Sequence, residues 1–467
     1  MDGPTLRLRA GAVFCASVLA LAGCSSLPTI VPDMAPRAAK PVPLHGAGGP
    51  LSRAQSRAVL DALARRSPDT GIFERHLAIE EALVGSPLTT GNRVQLLKDG
   101  PATYEAMFTA IGAAKDHIHL ETYIFDDDEV GQRFADLLIA KQQQGVSVSL
   151  IHDSVGTLLT PPTFFQRLVD HGIRVLEFNP DNPLTSLAAR QDWSLNQRDH
   201  RKLLVVDGQT AFIGGINISG VYSGGSTGDR TSGPTGEPLP WRDTHLQLQG
   251  PVVAELQKLF MAAWLAQQGP PLPPRAYFPP PRAAGQAVVR AIGSSPEEPF
   301  SQIYATLLSA IGSAETSISI TNAYFVPDPQ LLEALEAAAA RGVDVTLILP
   351  SRTDSWLVFH AGRAYYTRLL RAGVKILERR GVILHAKTAL IDGVWATVGS
   401  TNLDWRSFLH NHELNVVVLG SEFGAQLKAM FEQDRANSDA VLLAEWRRRS
   451  IDLRVKETIS KIWAYWL

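Results

Sequence analysis

The sequence predicts an α/β fold made of two pseudosymmetric copies of one unit, each a mixed sheet flanked by helices, with one site where the copies meet. Three observations predict it. Helical stretches of about a dozen residues alternate with short Val/Ile/Leu strands, the pattern of a sheet covered by helices. The alternation runs twice, with matching segments in the same order. A His-x-Lys-x4-Asp motif stands once in each half.

Composition sets the outer bounds. The chain has 467 residues, 45% apolar and 19% charged, with a formal net charge of −2. That supports a large core and excludes both a disordered chain and a polytopic membrane protein. Without a basic excess, no nucleic-acid partner is expected. The two cysteines, Cys15 and Cys24, both lie in the first 24 residues. The body therefore has no disulfide, no thiol nucleophile and no Cys-based metal site.

In chain order, residues 1–24 read as a targeting segment. Arg7 and Arg9 precede the apolar run Ala10 to Ala22, which is short for a bilayer span. It ends in Leu21-Ala22-Gly23-Cys24, which resembles the lipobox of a bacterial lipoprotein signal. The resemblance implies a lipid anchor on Cys24. It also implies a place in the bacterial cell envelope, on the periplasmic face of a membrane. Ser25 favours the outer membrane if the cell is Gram-negative. Residues 25–50, rich in Pro, Ala and Gly, read as an extended tether. Residues 51–84 read as a helical prelude.

The first copy spans 85–268 and the second 289–440, with a Pro-rich linker at 269–288. Three segment pairs align them. Ala110-Ile111-Gly112-Ala113-Ala114 recurs as Ala310-Ile311-Gly312-Ser313-Ala314. Gly145-Val146-Ser147-Val148-Ser149-Leu150 recurs as Gly342-Val343-Asp344-Val345-Thr346-Leu347. Gly172-Ile173-Arg174-Val175-Leu176-Glu177 recurs as Gly373-Val374-Lys375-Ile376-Leu377-Glu378. The segment Ser223 to Pro240 is an insertion of the first copy and reads as a surface loop near the site. Residues 441–467 form an amphipathic tail. Ile459, Ile462, Trp463 and Trp466 recur at helical spacing near Arg454, Lys456 and Lys461. Such a helix suits a membrane interface or packing on the body.

The motif itself is His200-Arg201-Lys202 with Asp207, and His385-Ala386-Lys387 with Asp392. Gly214-Gly215-Ile216-Asn217 and Gly399-Ser400-Thr401-Asn402 follow at equal spacing. On an extended strand, residues i and i+2 share a side, so each His falls beside its Lys. Asp207-Gly208 and Asp392-Gly393 suit hairpin turns that return each Asn to its Lys. Each copy thus offers a nucleophile or acid, a cation and a neutral donor. The two aspartates read equally well as turn residues or as part of the motif's chemistry.

The doubled motif resembles the paired HKD motifs of the phospholipase D superfamily. The resemblance implies two phospholipase D-like domains sharing one active site, with His200, Lys202, Asp207, His385, Lys387 and Asp392 as catalytic residues. It implies Asn217 and Asn402, with the two lysines, as phosphate-binding residues. An acidic residue after each motif pairs with the histidine in this superfamily, and Asp243 and Glu413 match those positions. His200 is the implied nucleophile and His385 the acid/base. No cofactor and no metal are implied, and the expected state is a monomer.

The wider second copy narrows the resemblance. Asn322-Ala323-Tyr324-Phe325-Val326-Pro327 and Asp354-Ser355-Trp356-Leu357-Val358 precede the second motif. Val398-Gly399-Ser400-Thr401-Asn402-Leu403-Asp404-Trp405-Arg406-Ser407 follows it. Together these are similar to bacterial cardiolipin synthases over about residues 90–440. That resemblance implies phosphatidyl transfer between two phosphatidylglycerols through a phosphohistidine, with release of glycerol. The alternative is a phospholipase D hydrolase that releases phosphatidic acid. Members of that group often carry N-terminal membrane-spanning helices, whereas this chain has a lipobox.

Overall fold

A computed structural model describes residues 42–180, 196–225 and 239–466. Cys24, most of the tether and most of the insertion lie outside the described residues. The segment expected to finish the tether is instead structured. Strand β1 (Leu44–Gly46) turns back through β2 (Gly49–Pro50). It also runs parallel beside β3 (Leu88–Leu97), pairing Leu44 with Leu88. Composition misleads here because Pro50 sits on an edge strand, where no ladder donor is missed. Leu44 is fully buried and drives the docking. The prelude is helical as expected, over Arg53–Arg65 and Ile72–Leu83. Ser52 and Gln55 close a capping box on the first of these.

The first copy continues with β4 (His117–Thr122), β5 (Ser147–Asp153), β6 (Arg174–Phe178), β7 (Arg198–Asp199), β8 (Leu203–Val206), β9 (Thr210–Gly214), β10 (Trp241–Arg242) and β11 (His245–Gln249). The second copy has β12 (Ala287–Ser294), β13 (Ser317–Asn322), β14 (Phe325–Val326), β15 (Asp344–Pro350), β16 (Lys375–Arg379), β17 (Ile383–Leu384), β18 (Lys387–Ile391), β19 (Trp395–Gly399), β20 (Leu403–Asp404), β21 (Asn411–Leu419) and β22 (Ser438–Ala440). The linker therefore ends two residues early, since β12 begins at Ala287 rather than 289.

Pairing makes the internal symmetry explicit. The first copy runs β6-β5-β4-β8-β9-β11-β3. The second runs β16-β15-β13-β18-β19-β21-β12, with β22 added outside β16. In each, three parallel strands joined by helices give way to an antiparallel half. The copies join edge to edge through β3 and β12. They also share a core. Leu203, Val205 and Ile213 of the first copy pack in one cluster with Leu390, Val398 and Leu414 of the second. Helices Gly100–Ala113 and Glu129–Gln143 cover the first copy's other face, and the prelude helps cover the second's.

The tail forms the helix Ile451–Ile462, packed on the helix Trp356–Arg363. The face it buries is polar. Glu457 and Ser460 are buried, and Arg449 closes on Glu457 at 2.7 Å. Among the described residues no helix is long and apolar enough to cross a membrane.

Candidate active site

Each motif histidine sits at the start of its hairpin, and each hairpin closes as the spacing predicts. Strand β8 pairs with β9 around Asp207-Gly208, and β18 with β19 around Asp392-Gly393. Asp207 and Asp392 adopt φ values of 54° and 51°, in the left-handed region that short polar side chains tolerate. Their carboxylates are fully engaged there. Asp207 accepts from the backbone N–H groups of Lys115, Asp116 and His117 at 2.8–3.0 Å. Asp392 accepts from those of Glu315, Thr316 and Ser317, and from Thr70 Oγ1. Four residues of strand separate Asp207 from Lys202, a span of about 17 Å. The expectation that these aspartates act on substrate is thus corrected. They hold the turn to the loop before β4 or β13, because a turn at the far end of a strand cannot face the near end.

The carboxylate partners of the histidines are crossed between the copies. His200 Nδ1 lies 3.0 Å from Glu413 Oε1, and His385 Nδ1 lies 2.7 Å from Asp243 Oδ2. The acid downstream of each motif therefore serves the other motif's histidine. Two short strand pairings between copies enforce the exchange. Strand β7 runs beside β21, and His200 N donates to His412 O at 3.0 Å. Strand β10 runs beside β17, and His385 N donates to Arg242 O at 2.8 Å. One residue beyond each acceptor stands the carboxylate. Ser400 Oγ donates to Glu413, and Thr244 N donates to Asp243 at 2.7 Å, which fixes both rotamers. Gly215 is glycine for a reason of space, since a Cβ there would meet Asp243 Oδ1 at 2.3 Å.

The two lysines lie beneath the histidines. Lys202 and Lys387 are buried, and each Nζ donates to the carbonyl oxygen of its own histidine. Lys387 Nζ is also 2.9 Å from His385 Nδ1. Above them opens a cleft of about 350 Å³ lined by His200, His385, Asn217 and Asn402. Asn217 donates to Tyr222 Oη at 3.1 Å, and the Asn402 side-chain oxygen is buried without a partner among the described residues. Sequence reasoning brought these six side chains and the two acids together. It missed the rest of the wall: Tyr123, Trp241, Arg198 and Arg406, with Asp354 held by Tyr324 Oη at 2.7 Å. A weak signal existed for the tyrosines, because Tyr123 and Tyr324 fall within two residues of the ends of β4 and β13.

Burial sets the electrostatics. It pushes the His200 imidazole down to about 4, against the pull of Glu413. Burial likewise lowers His385, reinforced by Lys387. Glu413 is pushed up by burial, but His200 and Lys202 outweigh this and hold it down to about 2. Asp243 is likewise held low by Lys387 and His385 against burial. Burial brings Lys202 down to about 7 and Lys387 to about 8. Both rings are therefore neutral near pH 7. Each has Nδ1 beside a carboxylate, which leaves Nε2 for a substrate. Such a pair of oriented imidazoles, ringed by cations, can attack and protonate across one anionic centre.

The profile described as "Cardiolipin synthase, PLD-like domain" matches residues 107–222 and 307–435, one segment per copy. The chain is 36% identical to the cardiolipin synthase of Geobacillus sp. (strain WCH70) over 380 residues, 81% of this chain and 73% of that protein. It is 37% identical to cardiolipin synthase A of Pseudomonas aeruginosa (strain LESB58) over 356 residues, 76% of this chain and 69% of that protein. The solved phosphatidylserine synthase of Haemophilus influenzae Rd KW20 shares the fold, with a TM-score of 0.58 at 15% identity. The two superpose over 82% of this chain and 96% of that one. With one motif in each matched segment and this identity over most of its length, the chain belongs to the phospholipase D-like family of the cardiolipin synthases.

Proposed function

We propose that the chain is a phosphatidyltransferase of the cardiolipin synthase type, moving a phosphatidyl group between two phosphatidylglycerols through a phosphohistidine. The single observation that carries the reading is the pair of crossed His–carboxylate contacts at one cleft. In the first step His200 Nε2 attacks phosphorus, the P–O bond to the glycerol headgroup breaks, and His385 gives that oxygen its proton. In the second step a hydroxyl of another phosphatidylglycerol passes its proton to His385 and attacks phosphorus, releasing His200. General acid–base help of this kind contributes roughly 10²–10⁴-fold. Burial keeps His385 neutral in the free enzyme. An arriving phosphodiester anion beside it favours the imidazolium that must act as acid. Lys202, Lys387, Asn217 and Asn402 stabilise the phosphoryl oxygens, each well-aimed donor being worth about 3 kcal/mol. A lipid anchor on Cys24 holds the enzyme to the periplasmic face of an envelope membrane.

Incubation with phosphatidylglycerol vesicles tests the reading. Cardiolipin and glycerol should appear in equal amounts, and His200→Ala or His385→Ala should abolish both. Phosphatidic acid without cardiolipin would replace the transferase with the hydrolase. A trapped phosphoenzyme mapping to His385 would exchange the roles of the two histidines. Radiolabelled palmitate on the wild-type chain but not on Cys24→Ser reports the anchor.

A further inference from the structure

The C-terminal helix Ile451–Ile462 is packed the wrong way round for a helix that ends in water. Its buried face is polar, with Ser460 fully enclosed and Glu457 paired to Arg449. Its outer face is apolar. Ile451, Val455, Ile459, Ile462 and Trp463 follow one another at three-, four- and one-residue steps and form a single stripe. Ile462 is 73% exposed and Trp463 is 52% exposed, far from the burial such residues seek. Turning the helix would bury the stripe but expel the Arg449–Glu457 pair, so the fold actively holds the apolar face outward.

From this geometry we infer that the stripe docks on an anionic lipid bilayer and sets the catalytic cleft at headgroup depth. The inference rests on the phospholipid substrate proposed above. Two further observations select a bilayer as the occupant. Charge is the first. Arg447, Arg448, Arg454 and Lys461 are exposed around the stripe, against the exposed acids Glu445 and Asp452. An apolar stripe with basic flanks is the pattern of a helix lying in a membrane interface. Continuity with the cleft is the second. The helix packs on Trp356–Arg363, whose Val358 lines the cleft and also packs in the small cluster with Ala464. Trp356, 54% exposed, stands two residues from Asp354 in the cleft wall. A bilayer meeting the stripe would thus be joined to the cleft wall through two packed helices.

The test uses the full chain on phosphatidylglycerol vesicles whose acyl chains carry bromine, a short-range quencher of indole fluorescence. Trp463 should be quenched, and Trp463→Phe should remove that part of the quenching. The triple variant Val455→Glu/Ile459→Glu/Ile462→Glu should keep Trp463 bright and lower turnover on vesicles by about tenfold, since interfacial binding scales with buried apolar area. It should turn over a monomeric short-chain phosphatidylglycerol like the wild type. Unchanged quenching in the triple variant overturns the inference. So does equal loss on both substrates, which would mean a structural role. So does a dimer in detergent that the triple variant splits, because a second copy would then be the occupant. If the wild type turns over neither substrate while Trp463 is still quenched, the docking stands and the proposed reaction falls.

Discussion

At the scale of residues, the site separates groups that touch substrate from groups that hold the frame, and two predictions follow that separation. Asp207 spends its carboxylate on three backbone N–H groups. Asp207→Ala should therefore cost about 1–3 kcal/mol of stability in a urea titration, the penalty of stranding such donors. Its kcat should stay within a few-fold of wild type, where His200→Ala leaves none. The second prediction concerns pH. His200 attacks only as the neutral imidazole, and burial holds its pKa at about 4. Falling pH protonates it and removes the nucleophile, so kcat/KM should decline on the acid side near pH 4. Lys202 aids the phosphoryl group only as a cation, and burial brings it to about 7. Rising pH removes that charge and also the His385 imidazolium that acts as general acid, whose pKa burial lowers, so the basic limb should fall at or below pH 7. Because kcat/KM reports the free enzyme, a pH–rate profile on monomeric substrate checks both limbs. The histidines, lysines and asparagines were legible in the sequence because their spacing is local to one hairpin. The real work of Asp207 and Asp392 was not, because it depends on which loop lies beside the turn.

At the scale of elements, the short pairings β7–β21 and β10–β17 decide the chemistry although each has only two residue pairs. They carry a histidine from one copy to a carboxylate from the other. A buried ion cluster braces the second pairing. Arg242 Nη2 lies 2.6 Å from Asp434 Oδ2, and Arg379 Nε lies 3.3 Å from Asp434 Oδ1. Asp434→Ala would leave two buried guanidinium groups without their shared anion. The expected cost is about 3–5 kcal/mol, far above the worth of a surface pair. The midpoint of urea unfolding should fall accordingly, and turnover should fall with it because Arg242 supplies the carbonyl that positions His385. Sequence periodicity found the long strands around these elements. It could not find the two-residue ones, which have no pattern of their own and exist only through their partners. The β1–β2 hairpin escaped for a related reason. Its proline-rich composition reads as a spacer until Leu44 is seen docking against the body.

At the scale of the whole molecule, the duplication is functional only as a pair, because neither copy contains a complete His–carboxylate unit. Residues 213 positions apart form one of them and residues 142 apart the other. The copies also share a hydrophobic core and meet edge to edge at β3 and β12. Two linked domains with separate cores would unfold independently, whereas this arrangement couples them. The crossing yields a test that the linear order of the motifs would answer the other way. Glu413 lies closer in sequence to His385, yet its contact is with His200. A double-mutant cycle on stability, pairing Glu413→Gln with His200→Ala, should show a coupling energy of about 1 kcal/mol or more. The same cycle with His385→Ala should show a coupling near zero. Coupling to His385 in place of His200 would return each acid to its own motif, and each copy would then hold a site of its own. With the crossed pattern, the second copy is a necessary half of the first one's catalytic apparatus, and a gene duplication has become a single active site.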